Sequence, residues 1–367
     1  MGCRAWTGRG PWAVVVSLLV IALAKPAAGQ MRDDSLQGAS DRAVKFLATA
    51  QQANGAFLLE ACTDEALREC QVLDVTFPTA FVIEGLAAVD HPQAAALIAA
   101  ARGFLRTQAD DQGLFRAATK ASPSYAAELP HLGITCLNRF ALEPVARSED
   151  PVVPRLLIYQ TIRGFFYSLA ISPRDVEALR FDATIRAQFQ ERHGASTLAW
   201  AETIDPVING AIMRYLVTRG TPSDSLCAYL VEQASRERPD NPFGGSPYLL
   251  AALVSESFRL GASCLADAAG PIQSRVLAQQ GADGSWGSVV DTALALTTLM
   301  NLGYEGPATA RAVQALVEGQ QSDGSWKRAV WSRVEAFGIS VGSEAVSTAF
   351  VLRALGQYQR VSAVSPS

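Results

Sequence analysis

Four carboxylates stand directly before strongly apolar segments, where an acid could be positioned for proton transfer. They are Asp74, Asp205, Asp291 and Glu344, in the segments DVTFPTAF, DPVINGA, VVDTALAL and GSEAVSTAF. Each position suits a helix N-cap, because the N–H groups and partial positive charge of a helix N-terminus stabilise an acid. Capping explains any one of them. Four around a single rim would instead indicate an acidic cavity mouth, in which one carboxyl, held neutral, could act as a general acid.

The sequence contains three histidines, and His131 is a candidate general base because it too precedes an apolar segment. His91 precedes Pro92 in a turn, and His193 ends a charged helical segment. The sequence has no zinc-binding HExxH motif, no P-loop, no GxSxG elbow and no dinucleotide-binding fingerprint. We therefore expect neither a metal ion nor a cofactor.

Aromatic and polar side chains near the same segment starts are candidates for binding an apolar substrate. They are Phe77, Thr79, Tyr248, Trp331 and Phe337. Aromatic faces could contact an apolar chain or stabilise a cation, and they could equally form the core of a lid. The longest connections on this side are 55–73, 115–129 and 326–343. Long loops on a rigid scaffold often cover a ligand site.

Four segments share one pattern, an amphipathic helix followed by Gln, a turn with Gly and an aromatic residue. They are 43–57 (AVKFLATAQQANGAF), 101–115 (ARGFLRTQADDQGLF), 273–286 (QSRVLAQQGADGSW) and 312–326 (AVQALVEGQQSDGSW). Glycine meets the need for a positive φ after a helix, and Gln can satisfy backbone groups left unpaired at the helix end. Repeats of this kind predict an architecture of stacked helix pairs.

Six helix pairs are predicted from this pattern. The first helices are expected at 40–52, 93–107, 152–170, 223–236, 271–280 and 308–319, and the second at 76–89, 131–142, 206–219, 247–260, 291–302 and 344–357. The second set is apolar on most faces and must be enclosed. The sequence therefore predicts an all-α fold, an (α/α)6 toroid of about twelve helices in two concentric rings. Strand signals are nearly absent, and an extra helix is expected at 182–192.

The Gln and Asp-Gly-Ser-Trp turns resemble the QW motifs of terpenoid cyclases and protein prenyltransferase β-subunits, which share an (α/α)6 toroid. Class II terpenoid cyclases protonate their substrate with the middle Asp of Asp-Xxx-Asp-Asp-Thr-Ala. The nearest segment, 74–80, keeps the first Asp and the closing Thr-Ala, but Thr and Phe occupy the acid positions. Of the zinc ligands of prenyltransferases, Asp291 is matched, whereas Ala293 and Ser347 replace Cys and His. The resemblance implies a divergent, squalene-cyclase-like member without the usual catalytic motifs.

The composition excludes several classes of protein. Of 367 residues, 49% are hydrophobic and 18% charged, so the chain has material for a large core and is not mostly disordered. The net charge of −4 predicts no basic surface, so nucleic acid is not an expected partner. Cys62 and Cys70 are close enough in sequence for a local disulfide, whereas Cys136, Cys227 and Cys264 are expected to be small buried hydrophobes.

The N-terminus has the features of an export signal. Arg4 and Arg9 precede the apolar run 13–24, which has the size of a signal-peptide core, and small residues follow at 27–29. We expect residues 1–29 to be a cleaved signal peptide, 30–360 a single toroid and 361–367 a flexible tail. The protein would then be secreted or periplasmic, and the alternative is a membrane anchor formed by an uncleaved signal.

Three functions follow as hypotheses. The first is an exported terpenoid-cyclase-like protein that acts on or binds an apolar isoprenoid or lipid in a central cavity. If it is an enzyme, it is an isomerase or lyase with an Asp general acid. The second is a non-catalytic binding or scaffold toroid. The third and weaker one is a carbohydrate-active (α/α)6 enzyme. Peripheral membrane association is compatible with an apolar ligand, and no particular protein partner is indicated.

Overall fold

The structure is a computed structural model, and it describes residues 33–64, 67–144, 150–237, 245–334 and 338–364. The predicted signal peptide lies outside these ranges. The helices in chain order are α1 Asp33–Ala50, α2 Phe77–Leu86, α3 Ala94–Gln108, α4 Leu132–Leu142, α5 Val152–Leu157, α6 Pro173–Phe181, α7 Ala183–Ala201, α8 Pro206–Thr218, α9 Asp224–Ser235, α10 Leu249–Arg259, α11 Ala266–Ala278, α12 Val289–Asn301, α13 Pro307–Glu318 and α14 Glu344–Val364. The short strands are β1 Leu59–Cys62, β2 Cys70–Leu73, β3 Ser332–Val334 and β4 Ile339–Gly342.

Six helices form a closed inner ring. Each packs against the next in the order α2, α4, α8, α10, α12 and α14, and α14 packs against α2 again. The outer helices α1, α3, α5, α9, α11 and α13 surround them. In α12 every residue from Thr292 to Asn301 is buried, as expected for a helix enclosed on all sides. The predicted (α/α)6 toroid is confirmed.

The Gln-containing turns join neighbouring outer helices. After α13, Gln320 Nε2 donates to the carbonyl of Gly324 at 2.9 Å and to that of Ala39 in α1 at 2.8 Å. Gln280 makes the same pair of bonds to Gly284 and to Ala308 in α13. Each Gln therefore satisfies a carbonyl of its own turn and one of the next helix. The contact of α13 with α1 closes the outer ring between the two ends of the chain.

The aromatic residue of each turn ties the outer helix to the inner one. The indole N–H of Trp326 donates to the carbonyl of Leu316 at 2.7 Å, and the backbone N–H of Trp326 donates to Thr348 Oγ1 in α14 at 3.1 Å. Trp286 repeats both bonds, to Val276 and Thr292. Thr79, Thr135 and Asn209 accept equivalent backbone bonds in the other repeats. A polar side chain near the start of the inner helix is thus part of the fold.

Two helix predictions need correction. The expected helix at 152–170 ends at Leu157, because Gln160 begins a further turn of the same kind and donates to Gly164 at 2.7 Å. This turn, from Gln160 to Phe166, was not recognised in the sequence. The expected helix at 182–192 is longer, since α6 and α7 together span 173–201. A backbone kink at Gly194, with φ 85°, interrupts α7.

The helical toroid also carries a small four-stranded antiparallel sheet, which the nearly absent strand signals in the sequence did not predict. Its strand order is β2, β1, β4, β3, so it joins the connection 55–73 to the connection 326–343. Strands of three or four residues are too short to show a period-two pattern in the sequence. Cys62 and Cys70 are directly paired across β1 and β2 and form a disulfide with an S–S distance of 2.04 Å.

The second disulfide was missed. Cys227 in α9 is bonded to Cys264 in the turn before α11, although the sequence predicts both to be small buried hydrophobes; Cys136 is a buried thiol.

The flexible tail predicted for 361–367 needs correction in part, because α14 continues to Val364 instead of ending before 361. Among the described helices, none is both long and apolar enough to cross a membrane.

Candidate functional site

A largely apolar cavity of about 490 Å³ lies at the N-terminal end of the inner helices. We call it the mouth cavity. Its inner wall comes from the first turns of α2, α4, α8 and α10 and includes Phe77, Phe81, Ile134, Ile208 and Leu253. Its volume falls within the range of small-molecule sites, about 300–1,000 Å³. The polar groups on its wall are few, which makes the position of each one informative.

Asp205 is the buried carboxyl of this cavity. It is the N-cap of α8, is 2% exposed, and its Oδ1 accepts the N–H groups of Val207 at 2.6 Å and Ile208 at 3.0 Å. Oδ2 accepts no hydrogen bond from the described residues. Burial raises the pKa of Asp205 to about 6, and the two backbone N–H groups oppose that effect only in part. The desolvation of the carboxylate therefore outweighs the helix N-terminus.

His131 lines the same cavity at the start of the neighbouring helix. Its Nδ1 accepts the N–H of Ile134 at 3.3 Å, so the neutral ring carries its proton on Nε2. Burial lowers the pKa of His131 to about 4. The Trp200 ring lies edge-on to the imidazole, with 5.4 Å between centroids. Because capping occupies the lone pair of Nδ1, this geometry suits a hydrogen-bond donor and does not support the predicted general base.

The roof of the cavity comes from all three long connections and from α7. The sheet and its flanks contribute Ala61, Trp331 and Val341, and the segment 117–129 contributes Glu128 among others. Trp331 packs edge-on against Phe77 and Phe81, with centroid distances of 5.8 and 5.2 Å. The predicted substrate-binding residues Phe77 and Trp331 therefore face one cavity with Asp205 and His131.

The other candidate acids lie elsewhere. Asp74 is exposed and lines a separate pocket of about 310 Å³ beside α3. Asp291 forms a capping box with Ser288 at the start of α12, and Glu344 is exposed at the start of α14. The four predicted acids therefore do not line one cavity. The roof covers the starts of α2, α4, α8 and α10 but not those of α12 and α14, so an acid at the start of an inner helix is buried in one case and exposed in another.

The remaining predicted binding residues do not line the mouth cavity. Thr79 is buried and its hydroxyl accepts the N–H of Phe57, while the hydroxyl of Tyr248 donates to Gln279 at 2.9 Å. Both side chains hold the turns together. Phe337 lies outside the described residues.

One group of described residues brings three potential metal ligands together. Among the described residues, the ligand atoms of Glu60, Cys62 and Cys70 are close enough to hold an ion. Both sulfurs are consumed in a disulfide, so they offer no thiolate for ligation.

Trp200, His193 and Glu128 line the cavity without having been predicted. His193 Nδ1 lies 2.8 Å from the carbonyl oxygen of Ala127, which links α7 to the segment that carries Glu128. The sequence gives little indication that these three residues line a cavity. The helix α7 is an insertion in the repeat, and its contacts depend on how it folds back over the mouth.

No protein-family model matches the chain, and no curated protein matches it significantly. Solved structures do match. A protein from Actinoplanes shares 18% identity with a TM-score of 0.65 and covers 88% of this chain and 99% of its own. Type II terpene cyclase MstE from Scytonema shares 16% identity with a TM-score of 0.64 and covers 89% of this chain and 99% of its own. A single-residue variant of MstE, in complex with its substrate geranylgeranyl dihydroxybenzoate, gives 16% identity, a TM-score of 0.63, and coverage of 88% and 97%. The chain therefore has a terpenoid-cyclase-like fold.

Proposed function

We propose that the mouth cavity binds an apolar isoprenoid and that Asp205 protonates it to start a cyclisation. The observation that carries this proposal is one buried carboxyl, with its pKa raised to about 6, in a largely apolar cavity. A general acid must hold a proton near the working pH and reach the substrate. The raised pKa of Asp205 and its place on the cavity wall support this role, and the ligand recorded in the MstE complex is a prenylated molecule.

The proposed reaction begins at Asp205 Oδ2, the oxygen that accepts no hydrogen bond from the described residues. Oδ1 stays held by the N–H groups of Val207 and Ile208. Transfer of the proton to a terminal alkene or epoxide leaves a carboxylate and a carbocation. The faces of Phe77, Phe81 and Trp331 would stabilise that cation. Loss of a proton from the cyclised cation to the carboxylate or to solvent completes an isomerisation.

Product analysis after incubation with squalene and linear prenyl alcohols tests the proposal. We expect cyclised products from the native protein and at least a hundredfold slower formation by Asp205→Asn, because the amide keeps the cap but carries no transferable proton. Asp74→Asn is the matched control, since Asp74 lies outside the cavity. Turnover that is equally fast in Asp205→Asn, or absent from the native protein with every substrate, contradicts a cyclase.

A binding function without turnover is the second candidate, and the missing acids of the type II motif favour it. In the type II motif the acid is the middle Asp, two residues before the Thr. In α2, Thr76 and Phe77 occupy the acid positions of the motif. The residues two positions before Thr135 and Asn209 are Gly133 and Val207, and neither is an acid. Under this candidate, native mass spectrometry finds a bound isoprenoid or lipid that is recovered chemically unchanged.

We also propose that the protein is exported and that residues 1–29 are removed. Two disulfides, Cys62–Cys70 and Cys227–Cys264, support this proposal, because disulfides persist in oxidising compartments. N-terminal sequencing of the protein recovered from its native compartment tests it, with a mature N-terminus near residue 30 as the expected result.

A further inference from the structure

A second cavity, of about 530 Å³, lies at the opposite end of the inner ring, where α2, α4, α10 and α12 end. None of its lining residues belongs to the mouth cavity. Arginines dominate its polar lining, namely Arg102, Arg259, Arg353 and Arg360. We call it the arginine cup.

The floor of the arginine cup is an ion network that balances its own charge. Arg214 binds Glu84 at 2.8 Å and Glu256 at 3.1 Å, and Arg353 binds the same two carboxylates at 3.0 and 2.5 Å. The guanidinium of Arg214 also lies 4.1 Å from the ring centroid of Phe140. Two positive and two negative charges thus cancel, so the floor does not neutralise the rim.

The rim carries three further arginines, and one nitrogen of each donates a hydrogen bond to the protein. Arg102 Nε donates to the carbonyl of Ala141 at 3.0 Å, Arg259 Nε donates to Asn301 Oδ1 at 3.0 Å, and Arg360 Nη1 donates to the carbonyl of Ala88. Arg259 makes a second, longer contact, since its Nη2 lies 4.0 Å from Glu256 Oε1. The other N–H groups of Arg102 and Arg360 have no partner among the described residues. The hydrogen bonds fix the orientation of these guanidinium groups and leave N–H donors available for a ligand.

The arginines also repel one another. Burial, and next the charges of Arg259 and Arg353, lower the pKa of Arg360. Glu305 is the rim carboxylate among the described lining residues, so positive charge is in excess. Arginines at helix C-termini do offset the helix dipole, but that role requires no cavity and no crowding of like charges. A bound anion would relieve the repulsion.

We propose that the arginine cup binds a small anion bearing a phosphate group. A guanidinium presents paired N–H donors in the spacing of phosphate oxygens, and the rim places three of them around one cavity. Apolar side chains such as Ile83 and Met300 line the same cavity and leave room for a short apolar part of the ligand. The site is independent of the mouth cavity and of the function proposed there.

Calorimetric titration of the full chain with inorganic pyrophosphate at low salt tests this proposal. We expect saturable binding that weakens at least tenfold in the double variant Arg259→Gln/Arg360→Gln and is unchanged in Arg174→Gln. Arg174 is an arginine of α6 that lines neither cavity. The single variant Arg360→Gln, expected to weaken binding severalfold, serves if the double variant unfolds.

A parallel assay with vesicles distinguishes a lipid headgroup from a free phosphate. Vesicles of phosphatidylglycerol are compared with vesicles of phosphatidylcholine. Binding to the anionic vesicles that is lost in the rim variants supports the site with a lipid as its source, and pyrophosphate binding alone supports a soluble ligand. No saturable binding of either anion, or equal binding by the rim variants and the native chain, overturns the proposal.

Discussion

Asp205 shows how one residue can serve both as a helix cap and as a candidate acid. Its two carboxylate oxygens are used differently, since Oδ1 accepts two N–H groups of α8 and Oδ2 has no such bond from the described residues. A helix N-terminus favours the charged form, while burial favours the neutral form. The balance at this site lies with burial, which raises the pKa to about 6.

The raised pKa of Asp205 predicts a pH-dependent stability. The folded state holds this proton up to about pH 6, whereas the unfolded chain releases it near pH 4. The protonated carboxyl therefore contributes its full stabilisation below pH 4, and this stabilisation is lost as the pH rises through 6. The loss lowers the free energy of unfolding by up to about 3 kcal/mol. Urea unfolding from pH 4 to 8 should show the native protein losing stability relative to Asp205→Asn. Glu344→Gln, at an exposed helix start, is the control. A constant difference between Asp205→Asn and the native protein across this range would contradict the assignment.

The ion network at the arginine-cup floor predicts a large effect of a single substitution. Burial alone would raise the pKa of Glu256, but Arg353 and Arg214 hold it below its usual value. Glu256→Gln leaves both arginines short of a negative partner in a buried site, so we expect a loss of about 3–5 kcal/mol. Glu232→Gln in the exposed pair with Arg236 should cost less than about 1 kcal/mol. Equal losses on chemical unfolding would show that the network is not effectively buried.

The sequence predicts individual candidate residues, but it does not predict which of them share one cavity. The sequence predicts Asp205, His131, Phe77 and Trp331 at the starts or flanks of inner helices, and these four do line one cavity. It cannot distinguish them from Asp291, whose position in sequence is alike. What separates them is burial beneath a roof, which depends on contacts between distant segments.

At the scale of the elements, the glycine of each turn permits close contact between outer helices. Gly324 has φ 91°, and a Cβ there would lie 2.4 Å from the carbonyl oxygen of Arg42 in α1. Gly220 also has a positive φ, 69°, but a Cβ there would meet nothing within 4 Å. A substitution at Gly220 therefore introduces backbone strain alone, whereas a substitution at Gly324 introduces backbone strain and a steric clash.

We expect Gly220→Ala to cost about 1 kcal/mol, from the left-handed conformation alone. Gly324→Ala should cost a further 1–3 kcal/mol, roughly, because α13 must move away from α1. The midpoints of thermal or urea unfolding measure the difference. Equal losses would mean that the two ends of the chain do not close the ring through this turn.

The two disulfides predict unequal effects, because they close loops of different length. Cys227 and Cys264 are 37 residues apart and Cys62 and Cys70 are 8 apart. The loop-entropy relation gives about 4 kcal/mol for the first bond and about 2.5 kcal/mol for the second. Paired Cys→Ser variants at each bridge should rank in that order in unfolding experiments. Removal of Cys62–Cys70 should additionally weaken ligand binding, since β1 and β2 help to roof the mouth cavity. The reverse order of stability would indicate that native-state contacts outweigh loop length.

Helices were easier to predict than the elements over the mouth. A helix of ten or more residues shows its period within its own segment, which is why the starts of the six inner helices were located to within two residues. The sheet, the short α5 and the fold of α6 and α7 depend on pairing across the chain. Cys227 and Cys264 lie in apolar helical segments, and only the packing of α9 against the turn before α11 brings them together.

At the scale of the whole molecule, ring closure gives the toroid two chemically different ends. The N-terminal end of the inner ring holds an apolar cavity with one buried acid, and the other end holds a cavity rich in arginine. The repeat in the sequence predicts the ring, because each helix pair can bury its apolar face only against neighbours. The contrast between the ends was not predictable, since it arises from single residues on six helices.

A crystal structure of the protein soaked with geranylgeraniol tests the central claim most directly. The account predicts electron density for the prenyl chain inside the mouth cavity, against Phe77 and Trp331, with an alkene carbon within about 4 Å of Asp205 Oδ2. Density for the ligand on the outer surface only, or a mouth filled by its own side chains and closed to the ligand, would contradict it.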